Sequence, residues 1–321
     1  MRVLLLGYSS IARRRVLPAL AAIGIRQVDV ASRSGGESMV LPEGLSGAVF
    51  HDYADALRHS DAEMVYISTI NSLHAELATA ALDGGRHVVI DKPAAVDLAD
   101  VSRLVQLSRE QGRLLAEATV YGYHPQIAAA RGVFEDANSQ PTKLVAAFSF
   151  PPLPPENFRQ RAEMGGGALL DLGPYAVSVG RLFFGEPPQE IICRDSFSAF
   201  SMLATFSGDR SLVGHFGMTT GYINRLEVLG PDATVTLDRA FTTTTDMICN
   251  VHVNQRNEHR IITVPPADSF AIFMSAVIKA VESGDVRPLA EDMLADAKAL
   301  DRLRASCHLA PSTQTLSISR T

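Results

Sequence analysis

An aspartate and a tyrosine, Asp171 and Tyr175, stand four residues apart in GGGALLDLGPYAVSVGRLFF, an apolar run opened by three glycines. A helix turns once in about 3.6 residues, so this spacing puts a carboxylate and a phenol on one face. A phenol with an ordinary pKa near 10 is a poor proton donor at neutral pH, and an adjacent ammonium would bring it closer to the working range. Lys92, in HVVIDKPAA, is a candidate for that neighbour, with Asp91 before it and Pro93 after it. LLLGYSSIARR forms a third candidate group. Gly7 and Ala12 occupy the first and third positions of a G-x-G-x-x-G/A turn, with Ser9 in the middle. Such a turn brings backbone close to a pyrophosphate, which rests on the helix N-terminus. Each group also has a plainer reading: a buried structural Asp–Tyr pair, a surface lysine in a tight turn, and an ordinary strand–turn–helix.

These residues need elements to position them. Over the first ~120 residues, short apolar runs alternate with helical patterns, the signature of a parallel sheet with crossover helices. Strands are expected at 3–6, 28–31, 64–68, 88–90 and 114–117, and helices at 11–23, 53–59, 73–83 and 98–111. Gly84, Gly85 and Gly112 fit helix C-termini. Lys92 and the STINSLH segment then lie at carboxyl ends of strands, where ligands bind in open α/β sheets.

Past Tyr123 the alternation stops. A helix is expected at 126–134, a strand at 143–150, a stiff PPLPP connector and then the glycine-led helix. From 191 to 264, β-branched and aromatic residues alternate as in an antiparallel sheet, and helices at 269–282 and 291–307 close the chain. The expected fold class is α/β followed by α+β: a doubly wound Rossmann domain over 1–120, then an open, mainly antiparallel sheet domain over 121–321.

The tip of the second strand reads VDVASRSGG. NAD is selected by an acidic residue near this strand end, whereas Ser32, Arg33 and Ser34 suit the 2′-phosphate of NADP. Asp29 lies mid-strand, too early to reach the ribose. A solvent-facing loop arginine is the alternative for Arg33.

The 321 residues are 46% hydrophobic and 20% charged, with a formal net charge of −6. That balance leaves no basic footprint for nucleic acid, and no apolar run is long enough for a membrane-spanning helix. The apolar start is too short for a signal peptide. Cys193, Cys249 and Cys307 are odd in number and far apart, which argues against a disulfide framework and for the reducing cytoplasm. Cys249, His252 and His259 lack a second ligand pair, so no metal is expected.

The segments VYISTINSLHAELATAALDGGRHVVIDKPAA, EATVYGYHPQ and NFRQRAEMGGGALLDLGPY, in this order, resemble the Gfo/Idh/MocA oxidoreductases. The likeness runs from LLLGYSSIA to AEDMLADAKALDRL. It implies the two-domain fold above, with the second sheet used for a homodimer or homotetramer. The family's Glu-Lys-Pro motif corresponds to Asp91-Lys92-Pro93, and its glycine-led motif to Gly165 through Tyr175.

By this resemblance Lys92, Tyr175 and Asp171 are catalytic. Gly7, Ser9, Ser10, Ile11, Ala12, Ser32, Arg33, Ser34, Thr69, Asn71, His74, Asp91 and Lys92 hold the cofactor. Lys92, Tyr121, Arg159, Asp171 and Tyr175 meet the substrate. In having tyrosine rather than histidine at 175, the chain resembles glucose–fructose oxidoreductase, dimeric dihydrodiol dehydrogenase and the nucleotide-sugar 3-ketoreductases. The NFR lead-in and the Ser32-Arg33 tip are similar to the ketoreductases. Gly122 and Ile70 depart from the arginine and proline of many relatives. The activity so implied is NADP-dependent hydride transfer to a ketone of a nucleotide-linked deoxysugar. A dehydrogenase of a free polyol, sugar or dihydrodiol is the alternative enzyme, and a redox-inert NADP-binding sensor or scaffold is the alternative of another class.

Overall fold

The computed structural model describes residues 1–33, 39–137, 139–256 and 258–307. Six short strands form the first sheet: β1 (Arg2–Leu6), β2 (Gln27–Ala31), β3 (Val49–Phe50), β4 (Met64–Ile67), β5 (His87–Ile90) and β6 (Leu115–Glu117). All run parallel in the order β3-β2-β1-β4-β5-β6. Both faces are covered by helices, which is why β1, β4 and β5 read as continuous apolar runs instead of alternating. Strand order reverses between β1 and β4, opening a crevice at their carboxyl ends.

The crossover helices are α1 (Leu17–Ala22), α2 (Tyr53–His59), α3 (His74–Asp83) and α4 (Leu98–Gln111). The single helix expected at 11–23 is instead a π-helical turn, Ala12–Val16, running into α1. Pro18 explains the difference. It has no N–H to continue the ladder, and the backbone widens ahead of it so that the Leu17 N–H reaches the Ala12 carbonyl. The two-residue β3 was absent from the sequence expectation because so short an element has no readable period.

The second sheet has eight strands in the order β14-β13-β12-β11-β7-β10-β9-β8. They are β7 (Lys143–Ser149), β8 (Glu190–Ser196), β9 (Ala199–Thr205), β10 (Ser211–Gly217), β11 (Ile223–Leu229), β12 (Ala233–Asp238), β13 (Cys249–Gln255) and β14 (Glu258–Val264). Every neighbour is antiparallel except β7 and β10. One face packs on α5 (Pro125–Asp136) and α6 (Ala168–Phe184), giving the alternating buried and exposed pattern along the strands.

The last two helices, α7 (Ser269–Ser283) and α8 (Arg287–Cys307), follow the second sheet in sequence yet return to the first. Phe270, Phe273, Met274 and Val277 of α7 lie in one core of the parallel sheet, and Ala290 and Met293 of α8 lie in the other. The end of α8 instead buries Leu300, Leu303 and Cys307 against the second sheet. One helix thus spans both cores and fixes the sheets relative to each other.

The expectation that the three cysteines form no disulfide framework is corrected here for one pair. Cys307, on the last turn of α8, forms a disulfide with Cys193 of β8, 114 residues earlier, with Cα atoms 4.8 Å apart. Only the return of α8 brings these positions together, and sequence spacing carries no sign of that. Cys249 is free and buried.

Candidate active site

The carboxyl ends of β1, β4 and β5 are tied by a chain of hydroxyls and one carboxylate. The Ser9 and Ser68 hydroxyls lie 2.7 Å apart. Ser68 donates to Asp91 at 2.5 Å and Tyr66 donates to the other Asp91 oxygen at 2.7 Å. Ser9 also caps the following helix, accepting from the Ala12 N–H at 3.0 Å. Serine at the middle of the glycine fingerprint is therefore a junction. At Gly7 the backbone is left-handed (φ 97°), and a Cβ would fall 2.1 Å from the Ser68 carbonyl oxygen. No other residue type fits there.

Opposite these strand ends, α6 presents Asp171 and Tyr175. A cleft of about 780 Å³ lies between the two sheets, and Ser9, Asn71, Lys92, Arg159, Asp171 and Tyr175 all face it. Ser10, Ile11, Thr69, Asp91 and Tyr121 line it as well. The glycines before α6 pack against protein and do not face the cleft. Gly165 sits where a Cβ would be 2.7 Å from that of Asn71, and the Asn71 amide donates to the Gly165 carbonyl at 2.8 Å. Gly165 lets the second domain pack closely on the first, whereas Gly166 and Gly167 pack on Arg161 and Phe197 of their own domain.

Lys92 is the meeting point. Its ammonium donates to the Asp171 carboxylate at 2.8 Å and to the Asp171 backbone carbonyl at 2.5 Å. Arg159 reaches the same carboxylate oxygen at 3.0 Å. Burial pushes the Asp171 carboxyl up, but the two cations outweigh it and hold the group at about 2. Burial alone would lower Lys92, yet Asp171 more than compensates and its ammonium is held above the ordinary value.

Tyr175 differs from the sequence expectation. Lys92 lies over its ring face, 5.1 Å from the centroid, and its hydrogen bonds go to Asp171. Burial raises the Tyr175 phenol, and the opposing pull of Lys92 is too weak to bring it below the ordinary value. The phenol is therefore protonated at neutral pH. Its ring packs edge-on against Phe148 and Phe241, and against Tyr121. Tyr121 is itself buried, with its hydroxyl 2.8 Å from that of Ser178.

Of the expected residues, Gly7, Ala12, Ser32, Arg33 and His74 do not line the cleft. His74 is buried beneath it, with Nδ1 2.8 Å from the Pro93 carbonyl and Nε2 3.3 Å from that of Thr69. It braces the Lys92 turn from behind. Arg33, at the end of β2, stacks its guanidinium 4.9 Å over the Tyr53 ring. Ser32 beside it is buried, and Ser34 lies outside the described residues. Asp29 accepts from the Ala48 N–H and the Ser60 hydroxyl, so it serves the sheet.

Sequence reasoning missed Glu117. Its carboxylate accepts from the Ala94 N–H at 2.7 Å and from the Thr119 hydroxyl at 2.6 Å, holding the far side of the Lys92–Pro93 turn. Position alone, at the carboxyl end of the strand next to β5, was the available signal.

Residues 1–119 match the model of an oxidoreductase family with an NAD-binding Rossmann fold, and 135–236 match the GFO/IDH/MocA C-terminal domain. Over 94% of each chain, the sequence is 31% identical to a dTDP-3,4-didehydro-2,6-dideoxy-alpha-D-glucose 3-reductase of Actinomadura kijaniata. The chain belongs to the Gfo/Idh/MocA oxidoreductase family. A reductase with the same description from Streptomyces violaceoruber is 30% identical over 96% of each chain. The fold is similar to the crystal structure of a 3-ketoreductase from A. kijaniata in complex with NADP and TDP-benzene, with a TM-score of 0.88 and 30% identity. That match covers 95% of this chain and 97% of the other.

Within the Gfo/Idh/MocA chain, the two departures noted in the sequence have local explanations. A Cβ at Gly122 would meet the Leu182 side chain at 3.2 Å, so a larger residue there needs that side chain to shift slightly. Ile70 caps the short 3₁₀ turn Asn71–Leu73 in an extended conformation without needing a proline.

Proposed function

We propose that the protein is an NADP-dependent ketoreductase acting on a nucleotide-linked deoxysugar, with Lys92, Asp171 and Tyr175 as its catalytic residues. The observation that carries this reading is the convergence of Lys92, Arg159, Asp171 and the protonated Tyr175 on one cleft at the strand-order reversal. The first domain fits a dinucleotide. The Gly7 turn has room for backbone only, Ser10 and Ile11 open onto the cleft, and Arg14 lines it. Arg33, at the tip of β2, supports NADP over NAD. Reduced nicotinamide, when bound, supplies the hydride that a ketone needs.

The chain's own residues do the rest. Lys92 presents a fixed positive charge to the substrate oxygen, held in place by Asp171, and stabilises the negative charge developing there. Tyr175 gives that oxygen a proton. The phenolate left behind faces the Lys92 ammonium across its ring, which offsets part of the penalty of burial. Arg159 neutralises Asp171 and borders the space left for the sugar. The relatives named above are dTDP-linked 3-reductases, which supports a ketone at C3 of a dTDP-deoxysugar as the substrate.

A homodimer or homotetramer through the second sheet is part of this proposal. Val145, Val213, Leu203 and Ile192 stand in direct register across β7, β10, β9 and β8, on the face away from the helices. All four are exposed, between 38% and 64%. A continuous apolar row of this kind is a protein-contact feature. A cytoplasmic location is also proposed, because a reductase of this kind draws on the intracellular pool of reduced dinucleotide.

The test is turnover with a dTDP-linked 3-keto-deoxysugar and NADPH, compared with free keto-sugars. Tyr175→Phe should lower kcat by about 10²–10⁴-fold, the usual share of acid–base catalysis, with NADPH affinity unchanged. Lys92→Ala should also cripple turnover, and the double variant should lose less than the product of the two. Normal turnover in Tyr175→Phe would move the proton donor elsewhere, to Lys92 first.

A further inference from the structure

Arg239 has a left-handed backbone (φ 62°), a conformation that is strained for a residue with a long side chain. It opens the segment that carries Phe241, Thr242 and Thr243 into the cleft. The segment is fixed from both sides. Buried Asn224 accepts from the Phe241 N–H at 2.9 Å and donates to the Thr242 hydroxyl at 2.7 Å. Its backbone carbonyl accepts from the Arg239 N–H at 2.6 Å, and Gln126 donates to the Arg239 carbonyl at 3.2 Å. So much bracing around one strained position fixes the backbone from which the Arg239 side chain leaves.

That side chain forms a small polar platform with Tyr222, next to Thr242, which lines the cleft. The Arg239 guanidinium lies 4.6 Å over the half-exposed Tyr222 ring and donates to its hydroxyl at 2.8 Å. The Tyr222 hydroxyl is in turn 3.2 Å from that of Thr242. The Tyr222 ring touches Phe148, which packs on Tyr175, so aromatic contacts lead from the platform back to the reacting end.

Charge separates Arg239 from the arginines that line the cleft. Arg159 is committed to Asp171, and Arg15 to Asp268 and the Thr243 carbonyl. Arg14 stands on the glycine-turn side, with the proposed dinucleotide. Among the described residues, no carboxylate lies within ion-pair distance of Arg239. Its positive charge is uncompensated and partly presented by an aromatic face, as expected of a group that receives an anion.

We propose that Arg239, with the Thr242 hydroxyl and the Tyr222 platform, binds the diphosphate of a nucleoside-diphosphate sugar while the sugar reaches Lys92 and Tyr175. This subsite rests on the nucleotide-sugar reading given above. Arg239 and Thr242 touch the ligand, and Tyr222 and Asn224 are positioning residues.

The test measures dTDP binding to the NADPH-loaded enzyme by calorimetry. Arg239→Asn is the main variant, because asparagine tolerates the left-handed backbone, and Arg239→Gly is the second. Either should weaken dTDP by about 10–100-fold, the usual worth of a hydrogen-bonded charge, with NADPH affinity unchanged and no fall in melting temperature. Tyr222→Phe keeps the ring but removes the acceptor for Arg239, and should weaken dTDP by a smaller factor. KM for the nucleotide sugar should rise in the Arg239 variants, with kcat within a few-fold of the parent. If the parent binds dTDP and both Arg239 variants bind it equally well, the subsite is wrong and the nucleotide-sugar reading stands. If the parent binds no dTDP yet reduces a free keto-sugar, that reading falls and takes the subsite with it.

Discussion

Replacing Asp171 with asparagine keeps the size of the side chain and removes the charge on which Lys92 and Arg159 converge. The carboxyl is held at about 2, nearly two pH units below its ordinary value. At about 1.4 kcal/mol per unit, the ionised form contributes roughly 2–3 kcal/mol to folding. Because the folded value is depressed, this contribution is complete above the ordinary carboxylate range near 4. It is lost as the pH falls through about 2. Urea unfolding of parent and Asp171→Asn at pH 7 should therefore differ by roughly 2–3 kcal/mol, and the gap should close progressively below pH 4. A second signature lies at high pH. Lys92 is held up against burial chiefly by Asp171, with Tyr175 second, so in the variant burial and the Arg159 charge push the ammonium down. The alkaline limb of kcat/KM should move to lower pH. A stability gap below about 0.5 kcal/mol together with an unmoved alkaline limb would refute the view that this ion pair sets the charge of the site.

Arg33→Ala should weaken NADP binding by about 1.5–3 kcal/mol in titration calorimetry and leave NAD binding nearly unchanged, and equal losses would remove the basis for NADP preference. Gly7→Ala forces a Cβ against the Ser68 carbonyl at an unfavourable φ. It should cost at least about 1–3 kcal/mol in thermal unfolding and abolish dinucleotide binding, whereas a stable, binding-competent variant would contradict the described turn. Leu203→Lys in the middle of the exposed apolar row should give a monomer by light scattering, and an unchanged oligomer would place the interface elsewhere. His124 caps α5, accepting from the Gln126 N–H, and burial followed by the Arg15 charge keeps its imidazole neutral at pH 7. His124→Ala should lower stability by about 0.5–2 kcal/mol and leave kcat within a few-fold, because the ring lies off the cleft.

The sequence alone determines a large part of this protein because its elements announce themselves locally. The five main parallel strands are short apolar runs, and the helices around them carry their own periods and glycine stops, as at Gly112 in its left-handed cap. Asp171 and Tyr175 share a face because they share a helix, and the i, i+4 spacing needs no tertiary information. The glycine turn at Gly7 and the Lys92 turn are legible for the same reason, as each is a strand followed at once by an unusual residue.

Only the tertiary structure decides which groups meet. Lys92 comes from the fifth strand and Asp171 from a helix 79 residues later, and nothing in their spacing says that the ammonium prefers the carboxylate to the phenol. The raised Tyr175 likewise depends on burial by Phe148, Phe241 and Tyr121, which arrive from three separate segments. The Cys193–Cys307 disulfide and the reach of α8 across both cores follow from the chain doubling back, which has no local signature. Local pattern fixes backbone conformation because it acts over a few residues. Charge, burial and proton affinity are set by neighbours distant in sequence, and packing brings those together.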